Sequence, residues 1–195
     1  MAELPESPHS QLAQRAVADP GAFVALYHLY AGRVYGYVAA RVDSRSDAED
    51  IVSDVFMRAL RNLDQLRTKQ VDSFASWLFS IARHAVADYY RRDGRGHPVQ
   101  PLEDSAEISA PGPSLDQIIL ESAEAAALYA LVRGLPERQR EVVTLRYYGG
   151  LRNREIADVL GIGEKTVSAY LSRALNDLRA AYEKRAQADA RARDE

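Results

Sequence analysis

Residues 153–171 read NREIADVLGIGEKTVSAYL, a spacing suited to presenting side chains to a nucleic acid rather than to making or breaking bonds. Asn153 is placed to cap a short helix whose inner face is Ile156, Ala157 and Leu160. Gly161 permits a sharp turn, Ile162 fills the angle between helices, and a second helix is predicted to begin after Gly163. Val167 and Leu171, one turn apart, face back onto Ile156 and Leu160, and Ala157 is small where the two helices would cross. This is the helix-turn-helix arrangement, which holds its second helix at an angle that lets it enter the major groove of DNA. The outward residues Glu164, Lys165, Thr166, Ser168, Ala169, Ser172 and Arg173 offer hydroxyls, a methyl and a guanidinium to the edges displayed there. Arg152, Arg154, Tyr170 and Arg179 lie at the margins, where phosphates would pass. The same spacing also fits a helical hairpin with no DNA role. The basic margin favours DNA, but spacing does not say which class of DNA-binding protein this is.

Bond-making chemistry has no such support. The chain has no Gly-rich phosphate loop, no HExxH and no Gly-x-Ser-x-Gly, and His9, His28, His84 and His97 are scattered without metal-ligand spacing. With no cysteine, disulfides, thiolate metal sites and a cysteine nucleophile are excluded. No catalysis, metal or cofactor is expected. Met1–Pro20 starts acidic and lacks an apolar run, and no stretch approaches the length of a membrane span, so a cytoplasmic protein without membrane insertion is expected.

The elements that must position these residues are helical, with no alternating strand pattern and no internal repeat. A helix is expected over about Pro20–Val42. Ser46 and Glu49 have the spacing of a capping box, and behind them Ala48, Ile51, Val52, Val55, Phe56, Ala59 and Leu60 form one apolar face. Asp47, Asp50, Asp54 and Arg58 lie opposite. A further helix is predicted from near Ser73, burying Phe74, Leu78, Ile81, Ala82, Ala85 and Val86 and ending in Tyr89-Tyr90-Arg91-Arg92. Trp77 and Phe79 read mainly as core. Leu115–Val132 and about Pro136–Tyr148 are the next helices, with Pro136 at a first helical position and Gly149-Gly150 as a stop.

Between the halves, Gly94–Pro113 is dense in glycine and proline. Residues 98–132 carry six acidic side chains and no basic one, whereas residues 133–185 carry eleven basic against seven acidic. The net charge of −3 hides that division. The fold expected is all-α: two small helical domains joined by a flexible acidic linker, the C-terminal one with the helix-turn-helix. The boundaries read are an N-terminal extension 1–19, a domain 20–95, a linker 96–114, a domain 115–185 and a polar tail 186–195.

LPERQREVVTLRYYGGLRNREIADVLGIGEKTVSAYLSRALNDLR resembles the C-terminal domain of bacterial sigma factors, which reads the −35 promoter element. SDAEDIVSDVFMRAL followed by FASWLFSIARHAVADYYRR resembles their N-terminal conserved domain, and the order and linker resemble the extracytoplasmic-function group. The match covers about 23–182. The resemblance implies core RNA polymerase and promoter DNA as partners, and it admits an anti-sigma protein. It places Asp47, Asp50, Asp54 and Arg58 against the polymerase. It places Arg67, Lys69, His84, Asp88, Tyr89, Arg91 and Arg92 on the melted −10 element, with Arg95 toward the backbone. For the −35 element it implies Arg152, Arg154, Lys165, Thr166, Ser168, Ala169, Tyr170, Ser172 and Arg173. His84 stands where the family often has asparagine, and Ser168-Ala169-Tyr170 departs from the family's basic pattern after the valine. The acidic linker is either a tether or, by resemblance, a segment that threads polymerase channels. The alternative function is a conventional helix-turn-helix regulator, for which the N-terminal half offers no receiver or ligand-binding domain.

Overall fold

The computed structural model describes residues 8–65, 73–93 and 123–191, and among them every regular element is a helix. In chain order these are α1 (Pro8–Ala16), α2 (Pro20–Ala39), α3 (Arg45–Arg61), α4 (Phe74–Asp93), α5 (Ala123–Arg133), α6 (Glu137–Tyr147), α7 (Asn153–Leu160) and α8 (Glu164–Arg191). The expected linker 96–114, Arg67, Lys69, Arg95 and the start of the helix expected at Leu115 lie outside the described residues.

In the first domain, α2 begins where Asp19 takes an extended backbone and its carboxylate accepts the Gly21 N–H at 2.9 Å, with Pro20 in the first helical position. Leu26, Tyr30, Val34, Tyr37 and Val38 of α2 are fully or almost fully buried. α1 lies on α2 and inserts Ala13 and Ala16, so part of the stretch read as an extension belongs to the core. α3 packs between α2 and α4 with Ala48, Ile51, Val52, Val55, Phe56 and Ala59 inward, as the periodicity predicts. Burying a valine, isoleucine or phenylalanine side chain here contributes about 1.5–3 kcal/mol relative to exposure.

Two details of α3 differ from the sequence reading. Its cap is Ser44, whose extended backbone (φ −97°, ψ 134°) lets Oγ accept the Asp47 N–H at 3.3 Å. Ser46 already lies within the helix and cannot cap it; its Oγ bonds Ser44 Oγ at 2.8 Å, and Glu49 pairs with Arg45 Nε at 2.9 Å instead of closing a box. Leu60 is exposed, because Ala59 and Leu63 take the inward positions at that end. In α4, Phe74, Leu78, Ala82, Ala85 and Val86 are buried as expected, Phe79 is fully buried, and Ile81 and Trp77 are half-buried against the core.

In the second domain, α8 packs against α5, α6 and α7. Pro136 stands at the cap of α6 (φ −52°, ψ 142°), one residue before the helix rather than within it. The chain leaves α6 through Gly150, whose φ is 62°. The two domains are in contact: α4 lies against α7 and α2 against α6, and one apolar cluster continues from the first domain into Val142, Leu145, Leu151, Ile156 and Val167. A smaller cluster, Val132, Leu135, Val143 and Ala174, closes the far side of the second domain.

Candidate nucleic-acid interface

The turn between α7 and α8 has the geometry its residues call for. Ile156, Ala157, Val159 and Leu160 of α7 are buried. Gly161 closes the helix in the left-handed region (φ 65°, ψ 37°), a conformation that costs L-residues, and Ile162 packs on the core. Ile162 N–H returns to the Ala157 carbonyl at 3.1 Å, which reverses the chain. α8 then starts at Glu164 with Val167 fully buried and Leu171 half-buried against the core.

The cap of α7 is Arg152, not Asn153. The Arg152 N–H donates to Glu155 Oε2 at 2.8 Å, and Asn153 is already the first helical residue. Asn153 acts across the turn instead, its Nδ2 donating to Ser168 Oγ at 3.0 Å. That bond ties the start of α7 to the outer face of α8 and engages one of the hydroxyls expected to face DNA.

On the outward side of α8, Lys165, Thr166, Ser168, Ser172 and Arg173 are exposed, and Ala169 and Tyr170 are half-buried. Tyr170 packs on the core and carries the Arg173 guanidinium 5.5 Å from its ring centre. Arg152, Arg154 and Arg179 are exposed beside this face. The residues expected to meet DNA in the second domain therefore share one accessible surface with a basic margin.

The face of α4 is built differently. His84 is exposed and hydrogen-bonded through Nδ1 to the Ser80 carbonyl at 2.6 Å, so its Nε2 edge is turned outward. Arg91 and Arg92 are exposed. Asp88 and Tyr89 are half-buried because they are tied to α3. Tyr89 Oη donates to Asp47 Oδ2 at 2.8 Å, and Arg58 Nη1 donates to Asp88 Oδ2 at 2.8 Å while Nη2 meets Asp54 Oδ2 at 2.6 Å. Arg91 also donates to Asp88. Burial tends to raise the Asp88 carboxyl, but hydrogen bonds from Arg58 and Arg91 outweigh it and hold the group below the usual carboxylate range. The Arg58 guanidinium is held above its usual value by Asp54 and Asp88, which overcome its desolvation.

These bonds regroup the residues expected to meet polymerase. Asp50 is exposed on the outer side of α3 and Asp54 is half-exposed beside it, whereas Asp47 and Arg58 are both drawn toward α4, by Tyr89 and Asp88. The exposed Met57 continues the acidic face at helical spacing, a residue that sequence reasoning passed over. Periodicity carries the only signal for it: residues 50, 54 and 57 recur on one side of a helix whose other side is core.

Among the described residues, no group of histidine and acidic side chains is arranged to hold a metal ion, and no helix is long and apolar enough to cross a membrane.

The comparisons with known proteins agree with this division into two helical domains. The family described as Sigma-70 region 2 matches residues 26–96, and Sigma-70, region 4 matches residues 125–178. The chain is 37% identical over 171 residues to the ECF RNA polymerase sigma factor BldN of Streptomyces coelicolor, covering 86% of this chain and 63% of that protein. It spans smaller shares, 32% and 59%, of two other curated sigma factors that it matches. Among solved structures it is similar in fold to CnrH in complex with the cytosolic domain of CnrY, with a TM-score of 0.66 at 23% identity over 91% of this chain and 99% of that one. It is also similar in fold to RpoE in complex with the anti-sigma factor NepR from Bartonella quintana, with a TM-score of 0.61 at 20% identity over 83% and 96%.

Proposed function

The chain belongs to the sigma-70 family, in its extracytoplasmic-function group, and from that premise we propose that it binds core RNA polymerase and directs it to promoters by reading a −35 and a −10 element. The observation that carries the proposal is the ordered pair of family matches, the second of them centred on a helix-turn-helix whose outward face is accessible and basic-rimmed. Sigma factors as a family are not enzymes; the chemistry of initiation belongs to the polymerase.

In this reading α8 enters the −35 major groove. Lys165, Thr166, Ser168, Ala169, Ser172 and Arg173 approach base edges, while Arg152, Arg154 and Tyr170 position the backbone. Arg173, whose guanidinium lies 5.5 Å from the Tyr170 ring centre, has the fork geometry that suits a two-pronged contact to guanine. On the other domain, His84, Tyr89, Arg91 and Arg92 of α4 line a surface for the opened −10 strand, with Arg67 and Lys69 contributing from outside the described residues. Aromatic rings beside positive charge are the elements that hold single strands. Asp88 orients Arg91 and Arg58 rather than meeting DNA itself, because two guanidiniums already engage its carboxylate. Asp47, Asp50 and Asp54 of α3 form the polymerase face, with Met57 as its apolar point.

An anti-sigma protein is the third partner proposed, by analogy with the RpoE–NepR complex. The cytoplasm is the proposed location, because both other partners reside there.

Transcription in vitro tests the proposal. The purified chain is added to bacterial core polymerase on a pool of promoter fragments, and start sites are mapped. Defined starts that depend on the chain, with shared sequences at −35 and −10, are the expected result. Tight duplex binding without polymerase, together with no binding to core, would make the chain a conventional regulator.

A further inference from the structure

Ser168 is exposed on α8, and its hydroxyl is engaged from two sides. Its Oγ donates to the Glu164 carbonyl at 3.1 Å, one turn back along the same helix. Asn153 Nδ2, at the start of α7, lies 3.0 Å from the same oxygen. A helical serine that bonds backward to the preceding turn is ordinary, and Ser53 and Ser80 do so here. Ser168 differs in that a second bond reaches it from another helix, 15 residues away in sequence.

The two bonds restrict what the hydroxyl can still do. A hydroxyl has one hydrogen to give and two lone pairs to offer. A carbonyl oxygen only accepts, so the Ser168 hydrogen is committed to Glu164. The amide that meets Oγ must then supply an N–H, which settles which end of the Asn153 amide faces the serine. That N–H takes one lone pair of Ser168, and one lone pair remains for a ligand. Turning the hydrogen outward would set a lone pair against the Glu164 carbonyl. Turning it toward Asn153 would set it against an N–H. Ser168 is therefore presented as an acceptor, on a face whose exposed Lys165 and Arg173 can only donate.

In the major groove the donors are the amino groups of adenine and cytosine, whereas guanine O6 and thymine O4 accept. An acceptor held toward the groove matches adenine or cytosine on the strand it faces. Against guanine or thymine it would meet oxygen with oxygen. We propose that Ser168, held in this polarity by Asn153, selects an amino-bearing base at one position of the −35 element. Ser168 is the specificity-determining residue, and Asn153 is a positioning residue that acts through it. The place of this contact in the −35 element rests on the sigma reading, whereas the polarity of the hydroxyl does not. Glu164 is the rival to be separated, because its exposed carboxylate is a further acceptor at the start of α8.

The full-length chain is assayed with core polymerase on promoters randomised through the −35 element, and the yield of defined starts is read for each base. The expected result is one position at which adenine and cytosine exceed guanine and thymine by about three- to tenfold. Replacing that adenine by unsubstituted purine, or that cytosine by 2-pyrimidinone, removes the amino group alone and should lower starts by a similar factor. The analogues need no variant, so this arm stands whether or not a substitution folds. Ser168→Ala should flatten the preference at that position and leave the other positions intact. Asn153→Ala should weaken the same preference, and should add nothing in the Ser168→Ala background. A purely structural role for Asn153 would instead lower starts on all promoters alike. Glu164→Ala should keep the preference, because the backbone carbonyl remains.

The inference is overturned by starts that show no amino preference sensitive to Ser168→Ala, by analogues that work as well as the natural bases, or by loss of the preference in Glu164→Ala. If the wild type gives no starts at all, the sigma reading falls, and the same duplexes are then read by binding to the chain alone. An amino preference lost in Ser168→Ala would keep the hydroxyl as a reader of DNA, and its absence there would end that role too.

Discussion

Gly161→Ala isolates the backbone term of the helix-turn-helix. Gly161 holds φ 65° and ψ 37° between α7 and α8, and a Cβ built there meets nothing within 4 Å. The substitution therefore creates no clash and removes no contact; its whole cost is that of placing an L-residue in the left-handed region, about 1–2 kcal/mol. For a chain of this size each kcal/mol shifts the melting midpoint by about 2–4 °C, so a fall of roughly 2–8 °C is expected. Gly161→Asn should recover part of that loss, because asparagine tolerates the same conformation. Val167 and Ile156 remain buried in both variants, so −35 discrimination at low temperature should match wild type once polymerase is bound. Thermal unfolding by circular dichroism, together with initiation on −35 variants at 20 °C, measures both. A loss above about 3 kcal/mol would show that a side chain at 161 meets neighbours. Equal stability of Ala and Gly would remove the strain argument, and altered discrimination would mean that the turn angle has changed.

Asp88→Asn should lower stability near neutral pH by about 1–2 kcal/mol, since it weakens charge-assisted bonds to Arg58 and Arg91. Because the Asp88 carboxyl is held low in the folded chain, its contribution is present above the unfolded carboxylate range and lost as pH falls through the folded value. Denaturant titrations from neutral to acid pH should thus show a shallower decline in the variant, and parallel curves would disprove the linkage. Arg173→Ala should cost about 1–3 kcal/mol of discrimination at one −35 position if the guanidinium reads guanine. Equal weakening across all −35 variants would make it a phosphate contact. Asp50→Arg reverses an exposed charge on α3 and should weaken core binding about tenfold or more, or about 1.4 kcal/mol. Its folding stability should stay within about 0.5 kcal/mol of wild type; undiminished binding in a titration of labelled polymerase would remove Asp50 from that face.

The helices and their buried faces were legible because apolar spacing is set by local geometry: Ala48 to Ala59 on α3 and Phe74 to Val86 on α4 repeat at helical intervals. The turn at Gly161 was legible for the same reason, since a glycine between two such stretches has few uses. The caps were harder to read. Ser44 and Ser46 both suit the role, and only the backbone decides between them. Leu60 was misjudged because a helix end can turn outward once Ala59 and Leu63 fill the inner positions. Least legible were contacts between elements distant in sequence. Nothing in the spacing pairs Arg58 with Asp88, Tyr89 with Asp47, or Glu141 with Arg41 and Arg83. A buried Glu141 on a helix with few apolar residues reads as a solvated charge until the other domain is placed against it.

Those long-range bonds also change how the N-terminal domain can work. Read along the sequence, α3 carries a polymerase face and α4 a strand-holding face, as two separable modules. In space they share their polar residues: Tyr89 Oη is held by Asp47, and Arg58 joins Asp54 to Asp88, which in turn holds Arg91. A polymerase contact that drew Asp54 away from Arg58 would therefore alter the charge balance around Asp88 and release or tighten Arg91 on the opposite side. Residues that share partners in this way do not act additively. Variants at 54 and 91 should then be coupled in single-strand binding although they occupy different helices and different proposed interfaces. Such coupling gives polymerase binding a direct physical route to the surface proposed for the opened strand, through the side chains of Asp54, Arg58, Asp88 and Arg91.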